Sequence, residues 1–357
     1  MIMYILLAMV PILFTPIVNS VYKSSINHDD RAKRTFLLCC GACLFIMIAF
    51  RSQYVGTEDS QRYYLNWISM SKVPYSHLDM YLVNSEMESG YLFAVWLLSH
   101  IVPNPQMLFV FSGALFTISV CRFIYKNSDD VCVSFVMFIC LGLYTFMVQG
   151  LRQAIAMSIC LFAFEYCKEK KPIKFILLVL LAVLFHKTAI VFILIYFIHL
   201  LKMHWDSYAF IGVCSAVVLA TSKYIVSISK ILFNEEGYTD AVSTGGFIAT
   251  AIYVIILAVA LIFANKKQKK DVDFIFFFYI AYMGLFVYIL RYVELVILER
   301  ISYYFLFSQI ILLPKVIGNF GKKAQNIIKT VALTLCILLF MYRLSSSDLI
   351  PYLFFWQ

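Results

Sequence analysis

One pattern limits this chain more than any other: apolar runs recur along nearly its whole length, separated by short connections rich in lysine and arginine. The runs fall at residues 3–21, 35–50, 107–125, 131–148, 153–167, 173–185, 188–201, 208–221, 246–264, 273–290, 301–317 and 330–346. A helix needs roughly 20 apolar residues to cross a bilayer, and several runs approach that length. With 62% of residues hydrophobic and 14% charged, a water-facing fold has no place for so much apolar surface. The expected fold is therefore all-α, a polytopic integral membrane bundle of about 10–12 transmembrane helices. No polar stretch is long enough for a second domain, so residues 1–357 read as a single transmembrane domain without internal repeats.

The basic residues orient that bundle. They cluster at Arg31-Ala32-Lys33-Arg34, Lys168 to Lys174, Lys266 to Lys270 and Lys315 to Lys329, with about 19 of the 29 on one side. This is the positive-inside pattern, and it accounts for the net charge of +9 as topology; no nucleic-acid partner is expected. The N-terminus and the loops of about 51–90 and 222–245 then lie outside. Segment 91–102, followed by Pro103-Asn104-Pro105, cannot cross without turning every later basic loop outward. It reads as re-entrant or interfacial. The first run has no basic leader and contains Pro11 and Pro16, so it reads as a retained helix and not a cleaved signal. The ten cysteines sit in or at the ends of apolar runs, with neither a disulfide framework nor a zinc spacing.

Polar clusters gather at the outer ends of the runs. Ionisable groups are costly there, which marks them as site candidates. Arg51 is either a guanidinium fork for phosphate oxygens or a snorkelling anchor. In Gly56-Thr57-Glu58-Asp59, Glu58 and Asp59 offer a general base, a divalent-metal ligand or an arginine partner; otherwise they are solvated acids in a turn. Glu88 opens the next apolar segment, where it either favours a helix dipole or touches a sugar, and Tyr91 can stack on a sugar face. Arg152, beside Gln153 at the start of a helix, is either a phosphate site or a buried ion pair. His186 and Lys187 interrupt an apolar stretch; the imidazole can deprotonate a hydroxyl and the ammonium can neutralise phosphate, against a satisfied core histidine. Arg291, Glu294, Glu299 and Arg300 form either a structural network or part of a ligand site. The loop from Asn234 to Gly246 is either a lid or a connector, and Pro351-Tyr352 is an interfacial aromatic feature.

Taken in order, the clusters resemble the EpsG-type branch of the Wzy polysaccharide polymerases. The matching elements are Arg51, Gly56, Asp59 and Tyr63; Glu88, Gly90 and Tyr91; Arg152, Gln153 and Ala156; His186-Lys187-Thr188-Ala189; and Glu299-Arg300 with Tyr304. The first motif departs from the pattern by one extra residue, so either Glu58 or Asp59 is the family carboxylate, with Asp59 keeping the usual spacing to Tyr63. The resemblance implies polymerisation of undecaprenyl diphosphate-linked oligosaccharide repeat units on the outer face of a bacterial inner membrane. It implies no cofactor and no metal, and as partners a chain-length regulator and a flippase of the same pathway, besides the lipid bilayer. Arg152, His186, Asp59 and Arg300 would then be catalytic. Arg51, Glu58, Glu88, Tyr91, Gln153, Lys187, Arg291, Glu299 and Tyr304 would bind substrate.

Two other classes compete. A metal-dependent GT-C glycosyltransferase using a polyprenyl phosphate sugar would place its cation at Glu58-Asp59. A lipid-linked oligosaccharide flippase or other transporter would show paired repeats and charges near the midplane, whereas here the charges gather at one face.

Overall fold

Each apolar run becomes helix, because only a helix satisfies its own backbone within lipid. The computed structural model describes residues 1–22, 28–224, 246–292, 297–345 and 347–357. Glu294 and nearly all of the second outer loop lie outside them. Among the described residues the structure is helical, apart from a one-residue antiparallel pairing of Arg51 with Phe354. Helices α1 (Ile2–Tyr22), α2 (His28–Ala49) and α6 (Met107–Asn127) are each long and apolar enough to span a membrane. Between them, α3 (Glu58–Met70), α4 (Leu78–Asn84) and α5 (Ser89–Ile101) are shorter. Segment 91–102 is thus the body of α5, a helix of 13 residues.

The stretch from 51 to 90 is more ordered than the loop expected of it. Tyr63, Trp67 and Met70 follow the helical i, i+4, i+7 spacing and are buried against Leu92, Val95 and Phe109. That apolar face turns α3 into a platform beside α5, and Glu58 and Asp59 become its first turn.

Two other apolar runs are also broken, without any charged residue at the break. Run 131–148 divides into α7 (Val131–Cys140) and α8 (Leu143–Gln149), bent by 50°. The break is at Gly142, whose φ of +97° is open to glycine but strained for other residues. Run 301–317 divides into α14 (Ile297–Leu306) and α15 (Gln309–Ile317). Helices α9 (Leu151–Lys168) and α10 (Pro172–Val183) lead to His186, and residues Lys187–Leu200 then form 3-10 turns. This segment is rich in β-branched residues, which crowd an α-helix. At roughly 2.0 Å per residue it reaches about 28 Å, where an α-helix of equal length reaches about 21 Å, so a short run still approaches the thickness of the hydrocarbon core.

The remaining helices are α11 (Trp205–Ala220), α12 (Phe247–Phe263), α13 (Val272–Leu290) and α16 (Lys322–Leu344); α13 and α16 are also of spanning length. The chain is a multi-pass membrane protein. The two ends of its bundle differ in chemistry. At one end, lysines pair with acids between helices: Lys126 with Glu165 at 2.8 Å, Lys168 with Asp273 at 3.0 Å and Lys329 with Asp130 at 2.5 Å. The opposite end carries the polar clusters, and there the tail corrects another expectation. Tyr352 is no mere interfacial ring: it is buried and its hydroxyl donates to the Met47 carbonyl at 3.0 Å. Backbone hydrogen bonds tie Ser52 to Leu353, Gly56 to Asp348 and Phe355 to Phe50.

Candidate functional site

Three short connections meet at that end: the start of α5, the start of α9 and the turn after α10. Gly90 lets the first reach the third, since a Cβ there would lie 2.6 Å from both the Cβ and the carbonyl oxygen of Leu184. That close approach sets Glu88 against His186 and Lys187 in the same turn. One oxygen of its carboxylate, Oε1, accepts from His186 Nδ1 at 2.9 Å and from the Lys187 backbone N–H at 3.3 Å. The other, Oε2, forms an ion pair with Nη1 of Arg152.

The protonation pattern follows. Burial raises the pKa of Glu88, but the His186 hydrogen bond and the Arg152 charge outweigh it and hold the carboxyl down at about 2. An ionised carboxylate only accepts, so the proton on Nδ1 belongs to His186 and its Nε2 keeps a free lone pair. Burial lowers the pKa of His186 and the Glu88 contact opposes it; the direction is downward, towards a neutral imidazole. Such a ring, oriented through one nitrogen and basic at the other, is the arrangement general-base histidines share.

Arg152 is both ion-paired and partly open, with 23% of its side chain exposed. Its Nε–H donates to the Tyr63 hydroxyl at 3.2 Å, and the guanidinium stands 5.8 Å from the centre of that ring. Glu88 and Tyr63 leave the rest of the fork without a protein acceptor among the described residues.

On the far side of the α9 start, a cavity of about 200 Å³ is lined by Thr57, Asp59, Phe146, Gln149, Glu299, Arg300, Tyr303 and Arg343. Asp59 lines it, while Glu58 is exposed at the head of α3. Gln153 joins the two regions by donating its amide N–H to the Arg300 carbonyl at 2.7 Å. Arg300 lies near enough for its charge to act on His186 and on Tyr63.

Other candidates are packed within the protein. Arg51 is 1% exposed; its Nη1 donates to the Val55 carbonyl at 2.7 Å and to Ser60 Oγ at 3.1 Å, and it stacks 4.3 Å from the Phe109 ring. Tyr91 is 1% exposed with its ring set edge-on to Tyr63, so its burial leaves neither face for a sugar. Tyr304 is buried beside Thr188, and Arg291 is buried in an ion pair with Glu299. Lys187 is exposed and lines a separate cavity of about 250 Å³ with Glu88.

Arg343 was missed by motif reading. It stands in the last turn of α16, donates to the Leu141 carbonyl at 3.1 Å and reaches the Asp59–Arg300 cavity. The left-handed Gly142 was its one signal, because a Cβ there would lie 2.4 Å from the Arg343 Nη1. Of the candidates, Asp59, Arg152, Lys187, Arg300 and Arg343 are at least partly accessible, whereas Arg51, Tyr91, Gln153, Arg291 and Tyr304 are buried.

Among known proteins, the model of one family, the EpsG family, matches residues 34–354. No curated protein and no solved structure matches.

Proposed function

The chain belongs to the EpsG family of Wzy-type polysaccharide polymerases, and from that premise we propose that it joins polyprenyl diphosphate-linked oligosaccharide repeat units into a surface polysaccharide. The observation that carries this reading is Glu88, which holds an arginine with one oxygen and a histidine with the other. Glycosyl transfer from a diphosphate needs both partners at once: a base for the acceptor hydroxyl and a cation for the leaving group.

In the proposed step, His186 Nε2 takes the proton of the acceptor sugar's hydroxyl as its oxygen forms a bond to C1 of the donor glycan. The C1–O bond to the diphosphate breaks, and its electron pair leaves with the polyprenyl diphosphate. Arg152 receives that charge with the part of its fork that Glu88 and Tyr63 do not occupy. Arg300 and Lys187 add positive charge on either side. Asp59, in the cavity with Arg300 and Arg343, accepts hydrogen bonds from sugar hydroxyls. Glu88 becomes a positioning residue, not a sugar contact.

The positive-inside placement of the lysines supports an outer-face position for this end of the bundle in a bacterial inner membrane. A flippase of the same pathway would deliver the lipid-linked unit there, and a chain-length regulator would act on the product. Reconstitution of the purified protein with its lipid diphosphate-linked repeat unit, in EDTA, tests the reading. A ladder of repeats supports it. A ladder that needs magnesium or manganese moves the chemistry to a cation at Glu58-Asp59. Absence of a ladder under both conditions, with the correct repeat unit confirmed, leaves transport or ligation.

A further inference from the structure

Away from this site, a groove of about 680 Å³ runs between α2 and α6. Its floor is made of small residues, Gly41, Ala42, Ala114 and Thr117. A Cβ on Gly41 would lie 3.0 Å from Cys121 Sγ, so the two helices lie almost in contact beneath it. Leu38 and Ile118 rise as walls, 73% and 59% exposed. The volume falls in the range of ligand pockets, roughly 300–1,000 Å³.

Chemistry differs along the groove's length. Phe45 and Ala114 close it at the apolar end, whereas Arg34, Arg122 and Tyr125 stand at the other. Asp30 and Tyr125 hold Arg34, at 2.9 and 3.0 Å. Arg122 is exposed and has no acidic partner among the described residues. Two guanidiniums therefore face one carboxylate at the mouth, which leaves net positive charge. From Arg34 to Phe45 the groove extends about 16 Å at roughly 1.5 Å per residue, close to half of a hydrocarbon core of roughly 30 Å. An apolar furrow one leaflet deep with cations at its rim matches a lipid with one chain in the furrow and an anionic headgroup at the rim.

We propose that the α2–α6 groove binds an anionic glycerophospholipid of the leaflet at the lysine-rich end of the bundle, its phosphate on Arg122 and Arg34 and one acyl chain along Gly41, Ala42 and Ala114. The mouth lies about 22 Å along α2 from Ala49, at roughly 1.5 Å per residue, so this lipid is separate from any diphosphate held at Arg152. The proposal rests on the membrane fold and not on the polymerase reaction.

The full-length protein in detergent, titrated with phosphatidylglycerol or with phosphatidylcholine of the same chains and read by native mass spectrometry, provides the test. Phosphatidylglycerol is expected to be retained at least about fivefold more strongly, the effect of roughly one arginine at a lipid surface. Arg122→Gln changes an exposed side chain; it should abolish the preference and leave retention of phosphatidylcholine unchanged. Ala42→Phe fills the floor from the lipid side and should reduce retention of both. Equal retention of the two lipids by the unaltered protein overturns the proposal, as does an unchanged preference in Arg122→Gln or unchanged retention in Ala42→Phe. Displacement of phosphatidylglycerol by equimolar polyprenyl phosphate would also overturn it, by making the groove a substrate path.

Discussion

Glu88 accepts the Nδ1–H of His186 at 2.9 Å, joining residues 98 positions apart in the chain. The contact fixes which ring nitrogen keeps its lone pair, and the Arg152 ion pair on the other oxygen balances the carboxylate's charge. The proposed base and the proposed phosphate-binding cation are thereby held at a set separation by one side chain.

Glu88→Gln removes the charge while nearly keeping the shape. Arg152 then loses its counter-ion, and the amide can present an N–H to the imidazole and so favour the wrong tautomer. The expected loss in initial rate of repeat-unit addition is about 10²- to 10⁴-fold, the range of general bases and the carboxylates that orient them. A rate within twofold of the unaltered protein, measured in liposomes, would remove Glu88 from the mechanism.

As the proposed base, His186 would act as neutral imidazole, and burial, opposed by Glu88, lowers its pKa from the usual 6.5. Activity should be full above that lowered value and fall as pH drops through it, giving an acid limb centred below pH 6.5. Glu88, held at about 2, stays ionised across the same interval and adds no limb of its own. A pH–rate profile of the reconstituted protein checks this; a limb centred above 6.5 contradicts the assignment.

Gly90→Ala places a methyl 2.6 Å from the backbone of Leu184. The head of α5 must then move away from the turn that carries His186, and the Glu88 contacts stretch. A rate loss of at least about tenfold is expected, since small displacements of a supporting residue are costly. The comparison is with Gly212→Ala, where a Cβ meets nothing within 4 Å. Equal rates in the two variants would show that the close approach has no catalytic consequence.

Gly142→Ala combines backbone strain at φ +97° with a clash against the Arg343 guanidinium. Destabilisation of about 1–3 kcal/mol is expected from the backbone alone, seen as a lower thermal midpoint in detergent. Adding Arg343→Ala should restore part of the midpoint by removing the clash. Strictly additive effects would show that the two residues do not press on each other.

How far the residues announced this arrangement depends on how local its causes are. The break at His186-Lys187 was legible because two polar side chains interrupt an apolar run. The break at Gly142 was not, because the group packed against that glycine, Arg343, lies 201 positions away and reads in sequence as an ordinary basic residue at a helix end. Helix α3 was hidden by its polar flanks, although Tyr63, Trp67 and Met70 carry the helical spacing openly. The motifs identified which residues gather at one end. They did not separate Arg152, with its open fork, from Arg51, whose burial comes from Val55, Ser60 and Phe109 closing around it.

The pairing of residues 50–56 with 348–355 has a consequence for assembly. Tyr352 reaches Met47 across 305 positions, and the turn that carries Arg51 exchanges backbone hydrogen bonds with the same distant segment. During synthesis that turn is made early, yet it must wait for nearly every later helix to insert before it can close. Completion of its first motif therefore waits on residues 348–355, and an insertion intermediate halted before α16 would have Glu88, Arg152 and His186 without a finished rim.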